Sequence, residues 1–161
     1  MKNLDKRIVL ANTFTPFYDE FEDRLRVVVN YVDVKNRIDF MITRNFIIDF
    51  ISSIDDFMMK YYMDDIVVKN SVQTTTKSDD TGERECIEKT DSGNLELFHL
   101  KNELLIKIDF SYQADSKKTF LQFTSKESIS RVLLDSMMLQ QFIKSMKLSI
   151  PYFKWGISQH F

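Results

Sequence analysis

At 161 residues and 19.1 kDa, the chain is long enough for one domain with its own hydrophobic core. A hydrophobic fraction of 43% with a net charge of -2 excludes a disordered chain. Three Gly and two Pro exclude a collagen-like or linker protein, and the lone cysteine, Cys86, excludes a disulfide scaffold.

Strand signals come first. Ile8-Val9-Leu10 is a short apolar run. Pro16 and the acidic residues Asp19, Glu20, Glu22 and Asp23 separate it from Arg24-Leu25-Arg26-Val27-Val28-Val29-Asn30-Tyr31-Val32, whose alternation puts Leu25, Val27, Val29 and Tyr31 on one face. After a turn at Lys35-Asn36, Ile38, Phe40 and Ile42 alternate with Arg37, Asp39 and Met41, which predicts a hairpin with one buried face. A helix follows, capped by Thr43 or Asn45. Ile47, Ile51, Ile54, Met58 and Tyr61 recur at helical spacing, while Phe46, Phe50, Phe57 and Met59 widen the stripe. Asp64-Asp65 is expected to end this helix.

Residues 69–93 are rich in Thr, Ser, Asp, Lys and Glu, and are expected to form a mobile connection between two units. Beyond them Leu95 to Leu100 reads as a strand and Lys101-Asn102 as a turn. Leu104, Ile106, Ile108, Phe110 and Tyr112 alternate as one long strand. Ala114-Asp115-Ser116-Lys117 turns into the strand Phe120-Leu121-Gln122-Phe123. A second helix is predicted to begin at Thr124, with Glu127 completing a capping box. Its stripe is Ile129, Val132, Leu133, Leu139, Ile143 and Met146, broadened by Leu134, Met137, Met138 and Phe142.

Arg24 to Tyr62 and Glu103 to Met146 thus share one order, a hairpin running directly into a helix. The expected fold is α+β: two similar sheet-then-helix halves, with an antiparallel sheet covered by two helices. It forms a single domain over 1–161, with halves at 1–68 and 94–161. Both helices are apolar over more than the roughly 100° that a sheet covers. Either they pack on each other across a joined sheet, or a partner covers the excess. The tail Pro151-Tyr152-Phe153-Lys154-Trp155-Gly156-Ile157 poses the same choice between docking on its own domain and anchoring another protein.

No catalytic, cofactor or metal site is expected. His99 and His160 lack partners at a catalytic spacing, and Cys86 sits among Glu83, Glu85 and Glu88. The doublets Asp55-Asp56, Asp64-Asp65 and Asp79-Asp80 lack the spacing of a calcium loop, and the glycines stand singly rather than in a phosphate-binding loop. The N-terminus has no signal-peptide pattern, and no apolar run approaches the roughly 18 residues that span a bilayer. With one unpaired cysteine, a cytoplasmic protein away from membranes is expected.

These features point to a non-enzymatic protein-interaction module: a homodimer, an adaptor or an inhibitor of a partner protein. The candidate interface residues are Met137, Met138, Phe142, Tyr152, Phe153 and Trp155. The alternative is a single-stranded nucleic-acid binder using the sheet face, with Arg24, Arg26, Arg37, Lys107 and Lys118 on it. The repeated sheet-then-helix unit resembles in topology the single-strand-binding folds of the Whirly and Pur type, which implies that same face. The mildly acidic sequence pI of about 5.7 weighs against this alternative.

Overall fold

The computed structural model describes residues 5–72 and 102–158. The first half contains β1 (Arg7–Leu10), β2 (Phe14–Asp19), β3 (Arg24–Val29), β4 (Ile38–Ile42) and α1 (Arg44–Val72). The second contains β5 (Asn102–Leu104), β6 (Lys107–Gln113), β7 (Lys118–Thr124), β8 (Ser128–Leu134), α2 (Ser136–Ser149) and a short α3 (Tyr152–Trp155). The α+β class and the sheet-then-helix order are as expected.

The sheet divides in two, with strand orders β2-β3-β4-β5 and β1-β8-β7-β6. Each half keeps three antiparallel strands and lends its first strand to the other half. Thus β1 pairs in parallel with β8, and β5 in parallel with β4. Four-residue turns close the two hairpins, where Asp19 faces Arg24 and Gln113 faces Lys118. The last residue of each turn, Asp23 or Lys117, takes the left-handed backbone. From those closures Val27 corresponds to Leu121, and through their cross-strand partners Phe40 corresponds to Val132.

The correspondence continues into the helices. Thr43 caps α1, its Oγ1 accepting from the Phe46 N–H; Asp135 caps α2, accepting from Met138. Counted from those caps, Ile47, Phe50, Ile51 and Ile54 match Leu139, Phe142, Ile143 and Met146, and all eight are buried. Asp55 matches Lys147, and these two side chains pair with each other at 2.7 Å. A contact between equivalent positions marks the pseudo-two-fold axis relating the halves. α1 is kinked at the non-helical Tyr62, and α2 ends before Pro151. The kink turns Tyr62 inward and leaves Tyr61 half out, the reverse of the expected stripe.

One core serves both sheets and both helices. Phe40 stacks on Phe123 at 5.8 Å between ring centres, joining the sheets. Phe50 and Phe57 of α1 pack on Phe110 of β6, while Phe142 of α2 packs on Phe14 of β2. Each helix therefore covers the opposite half's sheet as well as its own neighbours, and this consumes much of the broad apolar stripe.

Three expectations are corrected. No helix begins at Thr124; Ser128–Leu134 is a strand. Ser125 Oγ, next to the Thr124 read as a helix cap, accepts from the N–H groups of Glu127 and Ser128 and closes a β-turn. The inward positions at the start of β8 are Ser128 and Ser130, which hides the strand's alternation. The run from Leu104 to Tyr112 is broken at Leu105-Ile106 between β5 and β6. The helix does not stop at Asp64-Asp65 but runs to Val72, into the segment read as a connection. The strand predicted at 95–100, together with Cys86, His99, His160 and Asp79-Asp80, lies outside the described residues. Among the described residues no helix is long and apolar enough to cross a membrane.

Candidate functional site

The nucleic-acid candidates separate. Arg26 is fully buried, with its guanidinium 2.7 Å from Asp19 Oδ2 and 3.3 Å from Asp39 Oδ2. Arg37 is buried against Asp39 at 2.7 Å and lies over the Tyr31 ring. Both were expected on a solvent face. The outward side of β3 and β4 instead holds this charge network, because every buried guanidinium must find carboxylates. Arg24 is half-buried on the same strand. Lys107 and Lys118 alone share an exposed face, the outer side of the second sheet, where Lys107 pairs with Asp109. Phe120, Gln122 and Arg131 lie on that side too, with Arg131 Nε donating to Gln122 Oε1.

The protein-interface candidates also fall into two places. Trp155 is buried, not displayed. Its ring meets Tyr18 edge-on at 6.0 Å and its Nε1 donates to Asp23 Oδ1 at 2.9 Å. The Tyr18 hydroxyl donates to the same carboxylate, and the Lys154 ammonium lies over the Tyr18 ring. The tail is therefore docked on the β2–β3 turn. The hydrogen bond from Tyr18, and next that from Trp155, hold the Asp23 carboxyl below its usual range. Gly156 closes α3 in the left-handed conformation that glycine adopts at low cost. Tyr152 is half-buried, and Phe153 projects fully into solvent. Phe142 is a core residue, in contact with Phe14 and Phe123.

Met137 and Met138 occupy the opposite end of α2. They are 55% and 47% exposed, and the nearby Leu133 is 42% exposed. Met138 and Leu133 border a groove of about 410 Å³, whose floor includes Phe14, Val132 and Phe142. On the flanking strand, Ile8 and Leu10 face the same way as their partners Ile129 and Arg131, and are 58% and 71% exposed. Ile8 and Leu10 thus share the outer face of this sheet with Arg131 and Leu133, while Leu133 and Met138 border the groove. Ile8, Leu10 and Val132 were not singled out from the sequence as surface residues. The unalternating run Ile8-Val9-Leu10 was the available signal, since a strand apolar on both sides needs two covers.

The groove breaks the pseudo-symmetry. The corresponding place in the first half contains Phe40 where the groove has Val132, and Phe46 where it has Met138. Leu105 closes that place as well: it is buried, and its N–H donates to the Met41 carbonyl at 2.9 Å. Met41 corresponds to Leu133. On the groove side β1 ends early. Ala11 N–H reaches the Arg131 carbonyl, and the chain then turns away, with Asn30 Oδ1 accepting from Asn12 and Thr13. Peptide groups two residues apart on a strand point the same way. The Leu133 carbonyl therefore faces the vacated side, and no donor reaches it among the described residues.

Among the described residues no group of three His, Cys, Asp or Glu side chains converges as a metal site. Comparison with protein-family models, with curated proteins and with solved structures finds no match.

Proposed function

We propose that this chain is a non-enzymatic protein-interaction module whose contact face is the strip Ile8, Leu10, Leu133, Met137 and Met138 with the groove beside it. The partner is another protein chain, either a different protein or a second copy of this one. One observation carries the reading. These five side chains are large, apolar and about half exposed or more, and two of them, Leu133 and Met138, border the groove. Leaving each one in water forgoes about 1.5–3 kcal/mol of burial, and clustered exposure of this kind marks association surfaces. The nucleic-acid alternative has less support, because Arg26 and Arg37 already neutralise buried carboxylates.

The test is site-specific photo-crosslinking in the native cell, with the reactive residue placed at Leu10, at Met137, and at Lys126 in the exposed β7–β8 turn. The proposal expects one and the same protein joined from positions 10 and 137 and not from 126. Absence of any adduct from the first two positions, or equal labelling from all three, overturns it.

A further inference from the structure

One end of each sheet is a hairpin strand, β2 in the first and β6 in the second. The hairpin closures match Asp19 with Gln113, so Pro16 of β2 corresponds to Phe110 of β6. The ladders fix which peptide groups face out. Asn30 donates to the Thr13 carbonyl, so Thr13 and every second residue after it face β3, and Phe14, Pro16 and Tyr18 face outward. Ile106 donates to the Thr124 carbonyl, so Thr124, Gln122, Phe120 and Lys118 face β6 and bond their partners there. The N–H and C=O groups of Ile108, Phe110 and Tyr112 therefore point away from the sheet.

The two edges are finished differently. Pro16 has no N–H to offer, and its carbonyl accepts from Ser149 Oγ at 3.0 Å. β6 has no proline and keeps an unbroken register with β7 over its 7 residues. Among the described residues nothing bonds the outward peptide groups of Ile108, Phe110 and Tyr112. Their side chains pack against the core yet are only half-buried. A regular edge with bare peptide groups is a template for another strand, and proline is one device that blocks it, as in β2.

We propose that β6 pairs antiparallel with β6 of a second copy of this chain, joining the two second sheets across a two-fold axis. One register uses the whole strand. Phe110 lies opposite its own copy, Ile108 opposite Tyr112, Lys107 opposite Gln113, and Asp109 opposite Ser111. Phe110 exchanges both backbone bonds with its copy, and Ile108 does so with Tyr112, so every bare group is paired. No like charges stand directly opposite. Centring the axis on Asp109 instead sets two carboxylates face to face, and every shift leaves part of the strand unpaired. β6 lies at the opposite edge of its sheet from β1, so this surface is independent of the contact face proposed above.

Sedimentation of the full chain from about 10 μM to 1 mM covers the range of so small a contact. The mean mass should rise from monomer toward dimer. Over the same range, amide exchange should slow at Ile108, Phe110 and Tyr112 and stay unchanged at Asp109 and Ser111, which already bond β7. Phe110→Pro copies the blocked edge of β2 and should abolish association. Ser111 is exposed, so changing it does not disturb folding. Ser111→Asp sets a carboxylate opposite Asp109 and Ser111→Lys sets a cation there. Each contact occurs twice across the axis, so the first should weaken association about two- to thirtyfold and the second strengthen it by as much.

A monomer throughout the range overturns the proposal. So does a dimer whose slowed amides lie outside β6, or one that neither Ser111 variant shifts. A dimer protected at residues 7–12 and 133–145 instead is the contact face above used by a second copy: it overturns pairing through β6 and leaves that face standing.

Discussion

Phe142 separates a core role from a surface role more sharply than any other candidate residue. It is 6% exposed, its ring lies 5.1 Å from Phe14 and 5.9 Å from Phe123, and it forms part of the groove floor. Truncating a buried Phe to Ala costs about 3–5 kcal/mol, from lost transfer energy and the cavity left behind. Here one side of that cavity opens on the groove, so water can enter and the low end, about 3 kcal/mol, applies. For a chain of this length about 3 kcal/mol lowers the melting temperature by roughly 6–12 °C. Phe142→Leu keeps apolar contact and should cost less than about 1.5 kcal/mol. Urea unfolding followed by far-ultraviolet circular dichroism measures both, with an unchanged denaturant slope. A loss below about 0.5 kcal/mol for Phe142→Ala, as for an ordinary surface residue, would refute the placement of this ring in the core.

Four further outcomes follow from the same geometry. The Asp23 carboxyl is held low by Tyr18 and Trp155, so its part in docking the tail is complete above about pH 4 and lost as pH falls through the lowered value. Emission of the chain's single tryptophan should shift to the red in acid, and Asp23→Asn should remove that step; coincident profiles for the two proteins argue against the latch. The Tyr18 hydroxyl is raised chiefly by burial and next by Asp23, so the same docking persists past about pH 10 and is lost at higher pH. Asp55→Lys and Lys147→Asp should each destabilise slightly and the double exchange restore the pair; a coupling of about 0.2–1 kcal/mol fits a half-exposed ion pair, whereas none contradicts contact at the pseudo-dyad. Arg26→Met strands Asp19 without its nearest cation and should cost about 3–5 kcal/mol in chemical unfolding, an effect far larger than a surface arginine produces.

The fold class was legible because burial is written in periodicity where one face is apolar. Ile38, Phe40 and Ile42 alternate, and Ile47, Ile51, Ile54 and Met58 repeat at helical spacing, so the first hairpin and α1 emerged directly. The chain fails to announce itself where buried positions are polar. Ser128 and Ser130 face inward at the start of β8, leaving Ile129, Val132 and Leu133 to mimic a helical stripe with the true helix beyond them. Strand exchange between the halves was also invisible, since parallel pairing of β1 with β8 joins residues over a hundred positions apart and leaves no local mark.

The candidate site was half legible. Met137 and Met138 were identified from the sequence and are exposed, whereas Phe142 and Trp155 are buried by packing inside the chain. Arg26 and Arg37 looked like surface cations because alternation places them opposite Leu25 and Ile38. Asp19 and Asp39, close by in space, turn that outer side into a buried network. The groove itself arises from differences between equivalent positions, Val132 for Phe40 and Met138 for Phe46, and becomes visible only after the pseudo-symmetry is known.

Amide hydrogen exchange on the purified chain, alone and in complex with the protein joined at position 137, tests the interaction face most directly. Slowed exchange at residues 7–12 and 133–145, with the matched stretch 41–53 of the first half unchanged, is the predicted result. Protection confined to the first half, or spread evenly over both, contradicts a contact face built where the repeat is left open.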